Sequence, residues 1–186
     1  MRRSLKFLVA ALVLAAASAP RASHAGTIVG GSTMLGTAEV AQLEAWLGQG
    51  ALTLTNIFTK GVDGTTSAAW HGAVDGQGAT FTVLQMVAVN QAGQQVRQVV
   101  GGYNPESWNS TEGWHLTPDD ADRTGFIFNL ATGVVQRQCL TTDPAVCGND
   151  GDGPANVSGQ YQTYNAAGYG PAFGAGFDLV VFGSLD

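Results

Sequence analysis

Gly101-Gly102-Tyr103-Asn104-Pro105-Glu106-Ser107-Trp108, and the run that carries it on to Leu130 (GGYNPESWNSTEGWHLTPDDADRTGFIFNL), decide how this chain is read. The stretch reads as the end of one strand, a long polar connection and a second strand. Two adjacent glycines, Tyr103, Trp108 and Trp114 crowd the junction. Large aromatics beside residues with a permissive backbone are what a tight corner packed on a core requires. Partner stretches lie upstream from Trp70 (WHGAVDGQGATFTVLQ) and downstream from Gly168 (GYGPAFGAGFDLVVF). Tyr103, Trp108 and Phe173 are predicted to meet and seal a single β-rich interior.

Working outward, Val40, Leu43 and Leu47 fall at helical spacing, widened by Trp46, between Thr37 as cap and Gly48 as stop. A helix is predicted from Ala38 to about Leu47. Gly26 to Gly36 has no periodicity and reads as a loosely held lead-in. Ala51 to Thr59 alternates leucines with threonines and predicts a strand with one wet face. Thr65 to His71 forms one or two helical turns ending at Gly72. Thr80 to Val89, rich in β-branched residues, is the strongest strand. It turns around Gly93 and returns as Gln95 to Gly102. Gly125 to Leu130, Val134 to Cys139, Gln160 to Tyr164 and Phe177 to Phe182 are further strands. Hairpins with one or two helices point to an α+β, mostly β fold: a two-sheet antiparallel β-sandwich with short flanking helices. No internal repeat or linker divides the chain, so residues 37–186 are expected to form one domain.

Residues 1–25 read as a secretory signal peptide. Arg2, Arg3 and Lys6 make a positive start, Phe7 to Ala19 an apolar run, and Ser23-His24-Ala25 a small-residue site with cleavage expected after Ala25. The run is too short for a membrane span, which needs roughly 20 residues. Arg2-Arg3 weakly resembles a twin-arginine signal, but the flanking residues favour ordinary secretion. The signal holds four of the eight basic residues and none of the fourteen acidic ones, so the mature chain has four bases and a formal net charge of −10. Its only lysine is Lys60. Such a surface repels phosphate backbones and anionic lipid, which disfavours nucleic acid and membrane-surface partners. Cys139 and Cys147 are the only cysteines, and in an exported chain they are expected to form a disulfide that closes CLTTDPAVC. The chain-entropy model puts its contribution at roughly 2.5 kcal/mol.

Four groups of residues then resemble the TLDc domain family. They are Trp70-His71 with Asp75-Gly76 through Thr82; Gly101-Gly102-Tyr103 with Ser107-Trp108; Phe126 to Leu130; and Gly170-Pro171-Ala172-Phe173-Gly174-Ala175-Gly176-Phe177-Asp178-Leu179. Their order and spacing match the family over roughly Ala38 to Phe182. Ala175 and Phe177 stand where the family usually has a glycine and a histidine. The resemblance implies a sandwich of two antiparallel sheets flanked by helices. In eukaryotic members it also implies oxidation resistance and binding to the vacuolar proton pump, whose cytosolic surface an exported protein would not meet. It implies no agreed active site and no cofactor.

Candidate chemistry is sparse. His71 and His115 are the only histidines of the mature chain. With Asp75, Asp119 and Asp120 they could form a metal site or an acid–base pair. Each adjoins a tryptophan (Trp70, Trp114), and a buried, hydrogen-bonded histidine is the simpler reading. Ser107 and Ser110 near His115 and Asp119 invite a triad, but no G-x-S-x-G elbow accompanies them. Asn149-Asp150-Gly151-Asp152-Gly153 is a fragment of a calcium loop without its closing acid. Gly174-Ala175-Gly176 does not complete a nucleotide loop. Asn109-Ser110-Thr111 and Asn156-Val157-Ser158 fit the glycosylation pattern. The expectation is an exported monomer, secreted or periplasmic, acting as a non-catalytic binding or protective module with a protein or glycan partner. The alternatives are an extracellular hydrolase using His71 or His115, and a glycan or surface adhesion module using Tyr161, Tyr164 and Tyr169.

Overall fold

The structure, a computed structural model, describes residues 26–111, 113–140 and 159–185. The signal segment, Cys147, the Asn149–Gly153 stretch and the second glycosylation pattern lie outside the described residues. The fold is α+β and mostly β: two four-stranded antiparallel sheets and two short helices form a sandwich.

The helix α1 (Thr37–Leu47) puts Val40 and Leu43 fully under cover. Burying one such leucine stabilises by about 2 kcal/mol. Its cap is Gly36 rather than Thr37: the Gly36 N–H donates to Glu39 Oε2 at 2.8 Å, so the acid in the first turn reaches back to the helix start. Gly48, at φ 73°, ends the helix in the left-handed conformation that costs glycine least. Glu44 Oε1 then accepts from the Leu52 N–H at 2.8 Å and ties the helix end to the next element. The glycine-rich lead-in is not structureless. Thr27–Val29 forms β1, paired in parallel with β2 (Thr53–Thr55), a shorter strand than the predicted Ala51–Thr59.

The first large sheet has the order β3-β4-β6-β7, with β3 at Thr80–Val89, β4 at Gln95–Asn104, β6 at Phe126–Asn129 and β7 at Val134–Arg137. Register aligns Phe81, Tyr103 and Phe126 across three strands, with ring centroids 4.9 and 5.3 Å apart. With Phe128 and Leu43 they make the first core, under α1. Helix α2 (Ser67–Val74), capped by Thr66, starts two residues later than predicted and runs through Gly72, its expected stop; it brings Trp70 and Val74 to Trp108 and Phe173 in a second core. The single interior expected from the sequence is therefore two. Tyr103, Trp108 and Phe173 are all buried, but Tyr103 sits in the first core and the other two in the second.

The glycine pair explains the split. Successive residues of a strand face opposite ways. A Cβ on Gly101 would come within 2.5 Å of the Phe128 ring, and one on Gly102 within 2.5 Å of the Phe173 ring. One ring lies on each side of β4, and neither fits over a larger residue.

The second sheet has the order β10-β9-β8-β5: β5 at Gly113–Leu116, β8 at Tyr161–Asn165, β9 at Tyr169–Phe173 and β10 at Leu179–Phe182. Two of these strands depart from expectation. β5 lies inside the stretch read as a polar connection, and β9 contains Gly170-Pro171, which read as punctuation. Pro171 has no N–H to give. The β9–β10 ladder is irregular at its level, where Val180 pairs with Ala172 and Phe182 with Tyr169. Phe177 is a turn residue at φ 55°, not the start of the last strand. Between the sheets the layer turns polar. Asn104, Gln162, Thr163 and Asn165 are buried, and Gln162 Nε2 donates to Asn104 Oδ1 at 2.7 Å. Among the described residues, Asn104 Nδ2, Gln162 Oε1, Thr163 Oγ1 and Asn165 Oδ1 have no hydrogen-bond partner.

Candidate functional site

The i,i+4 spacing on α2 brings His71 Nδ1 to 2.7 Å from Asp75 Oδ1. The ring is 4% exposed and its other nitrogen is also occupied: Nε2 stands 3.0 Å from the Ala166 carbonyl oxygen and 3.1 Å from that of Tyr169. Two carbonyls can only accept, so Nε2 carries a proton and donates. Asp75, with its side chain 28% exposed, faces the ring on one oxygen and accepts from the Ser110 hydroxyl on the other. The order is serine–aspartate–histidine. A nucleophilic triad needs the serine on the histidine, with a ring nitrogen free to take its proton. Here neither nitrogen faces open space, so neither is presented to a substrate proton or a metal ion. Its role in this conformation is to fasten α2 to the turn between β8 and β9. Ser67 adds a second tie to that turn, its hydroxyl donating to the Ala167 carbonyl at 2.8 Å.

The other candidates do not join this group. His115 lies on β5, opposite Thr163 of β8. Asp119 caps a 3-10 turn at Asp120–Asp122. Asp120 pairs with Arg123 at 3.1 Å. Ser107 accepts from the Gly78 N–H at 2.8 Å and so holds the corner beside Trp108. Trp108 in turn donates its indole N–H to Thr80 Oγ1 at 2.8 Å. Among the described residues, no group of three His, Cys, Asp or Glu side chains is placed to hold a metal ion. Arg123 is buried and donates to the carbonyls of Thr117, Pro118 and Cys139, which fixes the chain just before the cysteine loop.

The outer side of the β5-β8-β9-β10 sheet is of another kind. Trp114 packs against Tyr161 at 5.4 Å, Tyr164 at 4.9 Å and Phe177 at 5.5 Å. Tyr169 continues the row: 5.3 Å from Tyr164, stacked with Phe177 at 5.8 Å, and 5.9 Å from Phe182. A bulge makes this possible. His115 pairs with Thr163 and Leu116 with Tyr161, so Gln162 is an extra residue on β8. Gln162 and Thr163 both turn inward, and Tyr161 and Tyr164, three apart, reach the same side. All the rings but one are half-buried; Phe182 is 56% exposed. None of the four strands contains an Asp, Glu, Lys or Arg. The tyrosines were legible as candidates. Trp114, Phe177 and Phe182 were not, because their membership depends on the bulge, a left-handed turn and a hidden strand.

Among the described residues no helix is long and apolar enough to cross a membrane. No family model matches the chain, and no curated protein or solved structure matches it either.

Proposed function

We propose that the chain is an exported, TLDc-like binding module that takes a neutral glycan on the aromatic outer face of the β5-β8-β9-β10 sheet, without catalytic chemistry of its own. The observation that carries this reading is the continuous set of rings from Trp114 to Phe182, half-buried except for the exposed Phe182, over four strands without an Asp, Glu, Lys or Arg. The C–H faces of a sugar ring pack on aromatic faces, while tyrosine hydroxyls and an indole N–H reach its hydroxyl groups. An uncharged face in a mature chain of net charge −10 selects against sulfated or phosphorylated polymers. The signal-like first 25 residues and the disulfide expected of the two cysteines, Cys139 and Cys147, support action outside the cytoplasm. The hydrolase reading built on His71 would need one of its nitrogens to face a cleft, and both are engaged.

The test is a screen of the secreted protein against immobilised neutral, acidic and sulfated glycans, scored beside a Trp114→Ala/Tyr164→Ala double variant. Binding to a neutral class that the double variant loses supports the reading. Retention of only anionic glycans, or equal binding by the variant, contradicts it.

A further inference from the structure

The long hairpin of the first sheet carries a different message from the aromatic face. Sheet order leaves β3 at an edge, paired only with β4 among the described strands. It is ten residues long, and its ladder to β4 runs from Thr80–Asn104 to Val89–Gln95 without a register shift. An open edge offers a row of backbone N–H and C=O groups, and proteins guard such edges with charges, prolines, bulges or a covering element. β3 has none of the first three: no charged residue and no proline occurs between Asp75 and Arg97, and no bulge interrupts the strand. Nor, among the described residues, does any element pair with its outer half. Met86 is 45% exposed on one side of the sheet, and Val87 and Val89 are 58% and 68% exposed.

We propose that β3 is the contact between two copies of this chain, joined edge to edge in antiparallel fashion through Gln85–Val89 into one continuous eight-stranded sheet. The occupant follows from charge and symmetry. A mature chain of net charge −10 repels its own copy over much of its surface, and on the first sheet the uninterrupted run from Gly76 to Val96 carries no carboxylate, so two copies meet along β3 without opposed negative charges. An antiparallel strand pair is self-complementary, so identical strands close a two-fold dimer without a second surface. The pairing satisfies backbone groups along the edge and places Val87 opposite the same region of its copy, where apolar cross-strand pairs are favourable. The glycan face lies on the other sheet, and a dimer of this kind presents two such faces.

Light scattering coupled to size exclusion on the full chain, processed by secretion, tests this over a wide range of concentration. The mass is expected to rise to about twice that of the chain. A Val87→Lys variant sets a charge at the edge, beside Arg97, its partner on β4. It is expected to remain a monomer at every concentration with an unchanged circular dichroism spectrum. Hydrogen exchange supplies a second readout that does not depend on the variant folding: amides of the 84–89 segment should exchange more slowly in concentrated than in dilute wild type. A wild type that stays monomeric throughout, a dimer that survives Val87→Lys, or exchange at 84–89 that ignores concentration overturns the proposal.

Discussion

The cluster around His71 and the aromatic face of the second sheet invite opposite first impressions, and both change on inspection. The cluster holds a histidine, a carboxylate and a serine within hydrogen-bond reach, the residue types of a hydrolase. Both ring nitrogens, both carboxylate oxygens and the serine O–H already face partners inside the protein. The aromatic face has the residue types of a core, yet it lies on the outside of a sheet and keeps Phe182 and Leu116 substantially exposed. Function is signalled by capacity left open, and residue type alone reverses the two assignments. Engaged polar groups rigidify; uncovered apolar rings bind.

The comparison breaks first at His71. Replacing it with leucine takes the imidazole from Asp75, which keeps only Ser110, and from the Tyr169 carbonyl, while the Ala166 carbonyl keeps the Tyr169 N–H; the expected loss is about 2–3 kcal/mol of stability measured by urea denaturation. A variant of unchanged stability would mean that the histidine is not a fastener. Trp114→Ala should show the reverse pattern. Its half-buried ring contributes roughly 1 kcal/mol to folding, but glycan affinity is expected to fall by about tenfold or more, read by calorimetric titration. Ser110→Ala removes one hydrogen bond to a partly exposed carboxylate and should cost about 1 kcal/mol or less, with glycan binding untouched. A large binding loss there would move the site toward the cluster.

The smallest effect separates the tyrosines. Three stand on the aromatic face, while Tyr103 is buried in the first core. Burial, and then the nearby Glu106 carboxylate, raise its pKa above the ordinary 10.0. The folded state therefore holds that proton more tightly than the unfolded chain. The stability this contributes is present below the unfolded value and is lost as pH rises toward the raised one. Alkaline titration at the phenolate absorbance should show a late-ionising component that a Tyr103→Phe variant lacks, and the protein should melt at lower temperature as pH climbs through that range. A titration whose late limb survives Tyr103→Phe would contradict the burial of Tyr103.

Much of the fold was legible because its signals are local. Thr80–Val89 and its hairpin partner follow from β-branched composition and the turn at Gly93, and α1 from helical spacing closed by Gly48. What escaped is set by tertiary contacts. Gly101-Gly102 predicts close approach but not that the two rings arrive from opposite sides, which divides one expected interior into two. β9 hides behind Gly170-Pro171, because a proline is tolerated there only where the ladder is irregular. At the site, the His71–Asp75 spacing was visible on the helix, whereas the carbonyls of Ala166 and Tyr169 that engage the other nitrogen lie far along the chain. Tyr161 and Tyr164 could be named but not assigned to one face, because a spacing of three contradicts strand alternation until the extra residue at Gln162 is known.

The most direct measurement is an NMR titration of the labelled protein with a neutral glycan that the screen identifies. Resonances of Trp114, Tyr161, Tyr164 and Tyr169 are predicted to shift together, those of His71, Asp75 and Ser110 to stay in place, and the glycan to remain intact. Shifts centred on His71 and Ser110, or cleavage of the glycan during the titration, would contradict a non-catalytic site on the aromatic face.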